Sequence, residues 1–248
     1  MPWRTRRTPY RVFVSEIMLQ QTGIARVEAK YEPFLERFPS FAALGAASVE
    51  DVLAAWKGLG YNRRALALRQ SALIVSTIHH GRLPRTVEEM VELPGVGRAT
   101  AAAVLVYAFG IPVPFIETNV RRVFLHFFFP GEEGVSDARI MPLVEQTMDR
   151  DEPRVWFYAL MDYGAMLSRA AGGNPNRRSR HYKRQSPFEG SLRQMRGKVL
   201  DALLSLKRGT RSAIAAEIGT DDDRLGDALE QLVAEGFLTV TGGVYSFR

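Results

Sequence analysis

Not one cysteine occurs in the 248 residues. That excludes disulfides, thiolate catalysis and cysteine-ligated metal or iron–sulfur centres. Nor is there an apolar run near the ~18 residues that a membrane helix needs, and Met1-Pro2-Trp3-Arg4 holds no apolar signal core. No membrane association is expected, and the default is a soluble cytoplasmic protein. Strand signals are scarce before the last dozen residues, so the bulk reads as mainly α. Acidic residues are missing where bases are not. Residues 1–11 carry four arginines and Trp3 but no acid; residues 169–188 carry six Arg/Lys and no acid; and no acid lies between Pro94 and Ile116. With a formal net charge of +6, a polyanionic partner is favoured. A hydrophobic share of 46% is ample for a core, in one large domain or two smaller ones.

What is present is helix after helix. Apolar spacing marks residues 11–22, with Glu16 a lone carboxylate among Val14, Ile17 and Leu19. Such a residue is either an exposed helix position or, if it faces a pocket, an acid whose pKa rises with desolvation. Helices follow over 27–38 (ended by Pro39), 48–56 (capped by Ser48) and 65–79. Thr86 with Glu89 three residues on is a capping box. Further helices are predicted over 136–148 and 152–167, the last with Asp162 as its one acid after the opening Glu152. Residues 169–188, with Gly172-Gly173 and two prolines, read as a basic loop or linker. Beyond it come helices at 193–207, 210–218 and 223–236. Residues 237–247 then alternate around Gly242-Gly243 as a two-stranded hairpin. Three helices and a hairpin describe a winged-helix-like module, in which Asp221-Asp222-Asp223 argues against a simple basic recognition surface.

The stretch Leu93-Pro94-Gly95-Val96-Gly97-Arg98-Ala99-Thr100 reads as a tight hairpin between a segment at 87–93 and an Ala/Val-rich helix at 99–109. Its glycines fit positions needing positive φ. The first N–H groups of the second helix form an anion site, with Arg98 at its mouth. Gly58-Leu59-Gly60-Tyr61, followed by Arg63 and Arg64, repeats the arrangement. Two such turns favour contacts to a phosphate backbone; the plainer reading of either is an ordinary αα turn.

Together these motifs resemble the helix-hairpin-helix DNA glycosylases (endonuclease III-like), most closely the MutY-type adenine mismatch branch. The resemblance runs from Pro2-Trp3-Arg4 through Thr8-Pro9-Tyr10 and Ser15-Glu16-Ile17-Met18-Leu19-Gln20-Gln21-Thr22. It continues through Gly58–Tyr61, the Gly95–Arg98 hairpin and Asn119-Val120-Arg121-Arg122-Val123 to Met161-Asp162-Tyr163-Gly164-Ala165-Met166. It implies a mainly α, two-lobed helix-hairpin-helix fold over residues 1–168, with lobes at 11–115 and at 1–10 plus 116–168. The basic loop 169–188 and the module 189–248 follow.

The family extrudes a nucleotide and cleaves its N-glycosidic bond, as in glycoside hydrolysis. By resemblance Glu16 is the general acid, Glu117 the second carboxylate, and Asn119 the residue that orients a carboxylate or water. Gly95, Val96, Gly97, Arg98, Gly58 and Gly60 are expected to contact the DNA backbone. Trp3, Arg4, Leu19, Gln20, Gln21, Tyr61, Ala99 and Asp162 are expected to line the base pocket or fill the vacated stack.

Four departures matter. Glu117 stands where the family has aspartate, adding one methylene, with helix capping as its plain alternative. Ala99 replaces the lysine of the bifunctional lyases, which implies a monofunctional hydrolase. The iron–sulfur cysteines are absent, so no cofactor is expected. The domain that reads 8-oxoguanine in the family is not apparent.

The expectation is a monomeric, nucleoid-associated, cluster-free adenine glycosylase acting on double-stranded DNA with a mismatched or damaged base. Two other readings stay open: a thymine/uracil glycosylase for mismatches with guanine, and a catalytically silent mismatch-DNA binder.

Overall fold

The computed structural model describes residues 1–169, 173–183 and 187–248. The chain folds as two compact units. One holds described residues 3–17 and 83–183 with Met1, and the other holds 18–82 and 187–248 with Pro2. The boundaries thus fall at 17/18, inside α2 (Pro9–Leu19), and at 82/83, between helices, whereas lobes at 11–115 and at 1–10 plus 116–168 were expected. The glycine hairpin goes with the helices that follow it because its Ala/Val-rich second helix buries its face in their core.

The first unit contains most of α1 (Pro2–Thr5), α2 (Pro9–Leu19) as far as Ile17, α7 (Val87–Met90) and α8 (Arg98–Val104). The last runs on as a π-turn over Leu105–Phe109. Next come α9 (Thr118–Phe128), α10 (Asp137–Thr147) and α11 (Pro153–Leu167). The basic arm foreseen at residues 1–11 is therefore partly helical, with Trp3 buried. The core gathers Val12, Ala102, Val106, Phe115, Val120, Phe124 and Phe157. Phe115 and Phe157 stack with centroids 4.0 Å apart, and Trp156 meets Phe157 edge-on at 4.8 Å. Burying such side chains stabilises by about 1.5–3 kcal/mol each.

Part of the expected linker belongs to this unit. Residues 175–178 form a 3₁₀ turn. The Arg178 guanidinium donates to the carbonyls of Phe129 (2.5 Å) and Leu125 (2.8 Å), closing the C-terminal end of α9. The Asn176 amide donates to the Thr118 carbonyl at the other end. Backbone bonds join Val135 to Arg178 and Arg180. A run of bases without acids looks like a solvated loop in sequence. Here one of those bases is consumed by two carbonyls at the end of a helix. The linker's residues 170–172 and 184–186, with Gly172 among them, lie outside the described residues.

The second unit contains α3 (Ile24–Arg37), α4 (Phe41–Ala46), α5 (Val49–Trp56) and α6 (Arg63–Thr77), and then the terminal module. Ser48 caps α5 through the Asp51 amide, as expected. The short α4, capped by Ser40, was not foreseen; its Gly45 lets it press on the α6 backbone at Leu73. The module runs α12 (Leu192–Leu206), β1 (Arg208–Thr210), α13 (Arg211–Ile218), α14 (Asp223–Ala234), β2 (Leu238–Thr241) and β3 (Val244–Phe247). Its sheet has three antiparallel strands in the order β1-β3-β2, not two. β1 pairs Arg208 with Ser246 and Thr210 with Val244. Three residues before a helix cap are too few to show a period, so this strand exists only through its partner.

Ion pairs tie the module to the helices of its own unit. Glu235 accepts from Arg63 on α6 (2.7 Å) and from Arg196 on α12 (2.6 Å). Burial works against its charge, but these two guanidiniums hold its carboxyl down at about 2. Lys207 reaches Glu50 (2.7 Å) and Lys57 reaches Asp201 (3.2 Å).

Candidate active site

The hairpin begins at the Thr86 cap, whose hydroxyl accepts from the Glu89 amide and donates to the Glu89 carboxylate. Leu93 and Val96 are buried and anchor the turn. Gly95 has φ +77°, as a tight turn requires. Gly97 does not fit that expectation: its φ is −86°, in the extended N-cap position of α8. A Cβ there would meet nothing within 4 Å, so neither conformation nor packing within the protein demands glycine. The cap carries no side-chain acceptor, and the first turn of α8 has no acid. Arg98 is exposed, with Glu88 at 3.7 Å. Ala99 is exposed and has no functional group.

Glu16 projects from α2 into the first unit. Although enclosed by protein, it keeps part of its surface exposed. Burial, reinforced by the charge of Glu117, pushes its carboxyl up to about 8, with Arg4 opposing. At neutral pH Glu16 therefore carries a proton.

Glu117 is the N-cap of α9, so the capping alternative is what its side chain does. One oxygen, Oε1, accepts from the amides of Asn119 (2.6 Å) and Val120 (2.8 Å). Capping does not remove it from the site, since it acts electrostatically on Glu16. Burial raises its pKa, while the two amides and the charges of Arg121 and Arg122 oppose the rise.

The Asn119 side chain turns elsewhere. Its carbonyl accepts from Arg122 (2.6 Å) and its amide faces the Met161 sulfur (3.9 Å). What Asn119 offers Glu117 is its backbone N–H. The buried Arg122 also donates to the Gly164 carbonyl (2.5 Å) and to Asn174 (3.0 Å). Gly164 lets α11 approach α9: a Cβ there would lie 2.5 Å from the Asn119 carbonyl oxygen.

Two residues distant in sequence complete the surroundings. Arg4 grips Asp162 with both terminal nitrogens (2.7 and 2.8 Å) and lies over the Tyr158 ring at 4.4 Å. Tyr158 stacks on Tyr107 with centroids 4.7 Å apart. Tyr107, Tyr158, Arg122 and Gly164 escaped a reading for site residues, because aromatics and small residues at helical spacing look like core. A tyrosine in an otherwise apolar helix was the signal available.

Leu19, Gln20, Gln21, Gly58, Gly60 and Tyr61 belong to the second unit. There the Arg64 guanidinium ties two loops together. It donates to the carbonyls of Met18 (2.9 Å), Gln20 (2.5 Å) and Gly60 (3.0 Å) and to the Thr22 hydroxyl (2.9 Å). Gln21 and Tyr61 adopt left-handed φ of +54° and +49°, a strained conformation for non-glycine residues that the clamp holds in place.

A glycine hairpin opening a helix, together with a protonated and a capped carboxylate in one partly open site, defines a base-excision DNA glycosylase class of protein. Comparison with known proteins places it within that class. The model of the HhH-GPD superfamily base excision DNA repair protein matches residues 14–145, and the chain belongs to that superfamily. It is similar to the adenine DNA glycosylase of Mycolicibacterium smegmatis, with 32% identity over 97% of this chain and 88% of that protein. The adenine DNA glycosylase of Mycobacterium tuberculosis H37Rv is 34% identical over 97% and 86%. Alignments of that span include the terminal module. Among solved structures, a thermostable thymine-DNA glycosylase superposes with a TM-score of 0.61 at 26% identity, over 70% of this chain and 81% of that one.

Proposed function

We propose that this chain is a monofunctional adenine glycosylase that acts as a monomer on double-stranded DNA containing a mispaired base. The observation that carries the reading is the pair Glu16–Glu117, in which Glu16 is protonated at neutral pH beside a second carboxylate. Similarity to adenine DNA glycosylases over 97% of the chain supports adenine as the base. In the reaction an extruded adenosine enters the site, and Glu16 gives its proton to the adenine ring. The N-glycosidic electron pair leaves with the base, and Glu117 supports the cationic sugar. Water then adds at the sugar carbon and returns a proton to Glu16. Ala99 offers no amine for a Schiff base, so the product is an abasic site without strand cleavage.

The hairpin amides from Gly95 to Arg98 grip phosphates of the strand. This reading includes no iron–sulfur cluster. The family's cluster needs thiolates, of which the sequence has none, and hydrogen bonds from Asn176 and Arg178 hold the segment after α11.

Similarity to a thymine-DNA glycosylase favours a second reading, removal of thymine or uracil opposite guanine. Single-turnover assays on duplexes with A·8-oxoguanine, A·G, T·G and U·G, with and without alkali, separate the two. Breaks that need alkali on the adenine strand are expected. Breaks on the thymine or uracil strands support the second reading, and alkali-independent breaks refute the monofunctional assignment. Tight mismatch binding with no breaks leaves a silent binder.

A further inference from the structure

One hydroxyl in this site has no use in the chemistry above. Tyr107 lies in the π-turn that ends α8, where Gly110 N–H reaches back five residues to the Leu105 carbonyl. Wide turns of this kind reset the faces a helix presents and are frequent at functional sites. The Tyr107 hydroxyl is buried and has no hydrogen-bond partner, a condition that costs stability and that native proteins rarely retain without a role.

The ring cannot swing away to solvent. It stacks on Tyr158 at 4.7 Å and 6° and meets Phe115 edge-on at 6.1 Å, while its backbone carbonyl accepts from Arg154. The charged and titratable groups around it come from every neighbouring element: Glu16 from α2, Glu117 from the cap of α9, Tyr158 from α11 and Arg4 from α1. Behind these, Asp162 pairs with Arg4, Arg121 and Arg122 act on Glu117, and Arg7 and Arg154 act on Tyr158. Burial and the two glutamates raise the Tyr107 pKa well above its ordinary value. It therefore stays protonated, and towards carboxylates it acts only as a donor.

We propose that Tyr107 is a positioning residue for Glu16, its hydroxyl donating a hydrogen bond to the Glu16 carboxylate that forms as the base departs. The inference rests on Glu16 being the general acid. When Glu16 gives up its proton, the glycosidic electron pair goes to the base and a second anion appears beside Glu117 in a poorly solvated site. Tyr107 keeps its own proton and shares it with the new carboxylate. In the structure the hydroxyl has no partner, so its proton is free to go to the new carboxylate. Hydrogen bonds to charged groups are the strong ones.

The test is Tyr107→Phe in the full chain, followed by single-turnover excision across pH, mismatch-duplex affinity and thermal melting. Excision at pH 7 is expected to fall about 10- to 100-fold. The descending limb of the pH profile should move to higher pH, because the carboxylate has lost its donor. Duplex affinity should hold, and the melting temperature should stay or rise, since an unsatisfied hydroxyl has been removed. An unmoved limb overturns the proposal, whether excision is retained or falls in step with the melting temperature. Should Tyr107→Phe fail to fold, 3-fluorotyrosine at position 107 keeps the shape and strengthens the donor. It should move the limb to lower pH, and an unmoved limb again counts against the proposal. Absence of excision by the unaltered protein on every duplex would deny Glu16 its role and this inference with it. Normal excision with an indifferent Tyr107→Phe denies this inference alone.

Discussion

Glu16 feels Glu117 across about a hundred positions of chain, the charge of Glu117 strengthening the hold of Glu16 on its proton. The second acid is fixed by two backbone amides at a helix start, so its charge sits where the chain puts it. The first is left to carry the proton.

Glu16→Gln is expected to abolish excision while mismatch binding persists. It should also change the pH dependence of stability. The folded pKa of about 8 exceeds the ordinary value of 4.5. The stabilising protonation is therefore complete below about 4.5 and lost as pH rises through about 8, at up to ~1.4 kcal/mol per pH unit. Glutamine does not titrate, so melting temperatures of variant and parent should diverge in favour of the variant between pH 5 and 9. Parallel curves would show that Glu16 is not shifted.

Excision should decline as pH rises through about 8, where Glu16 loses its proton. Glu117→Gln removes the neighbouring charge, which lowers the Glu16 pKa and moves that decline to lower pH, with a rate loss of about 10²-fold or more. Glu117→Asp keeps charge and cap, since aspartate is among the best N-cap residues. It should excise within about 10-fold of the parent. A collapse on Glu117→Asp would mean the site is built around the longer acid.

Gly164→Ala puts a methyl 2.5 Å from the Asn119 carbonyl oxygen. Neither backbone can yield without moving the start of α9. A loss of about 1–3 kcal/mol in urea unfolding is expected, with a larger proportional loss of excision than Ala substitutions elsewhere on α11 produce.

The two hairpin glycines should separate. Gly95→Ala forces φ +77° on a residue with a Cβ and should cost about 1–2 kcal/mol. Gly97→Val enters open space at φ −86° and should leave the melting temperature near the parent's while weakening duplex binding. Full duplex affinity in that variant would remove the hairpin from the DNA interface.

Arg178→Ala removes the guanidinium that bonds the Leu125 and Phe129 carbonyls, leaving the second with only the longer bond from the Glu132 N–H (3.4 Å), and should destabilise by about 1–3 kcal/mol. Dialysis of the parent against an iron chelator should leave its melting temperature unchanged; a drop would reveal a metal after all.

The sequence by itself determined most of the helices, most caps and the hairpin, because periodicity, capping and glycine turns are local, while its resemblance to a family singled out Glu16 and Glu117 as the candidate acids. Thr86, Ser48 and the Gly95 turn could be read from a few neighbouring residues. It also settled that no thiolate exists, a matter of composition alone. Tertiary structure decided the rest. How far Glu16 is enclosed depends on residues about a hundred positions away, and its proton affinity follows from that enclosure. Glu117 caps and charges at once, which no spacing reveals. Arg178 looked like a solvated base until α9 supplied it with carbonyls, and β1 is a strand only because β3 lies beside it. Tyr107 reads as one more aromatic in an apolar helix. Only folding showed its hydroxyl buried with nothing to bond in the field of two acids, because the environment of a buried polar atom is made by every element that closes around it.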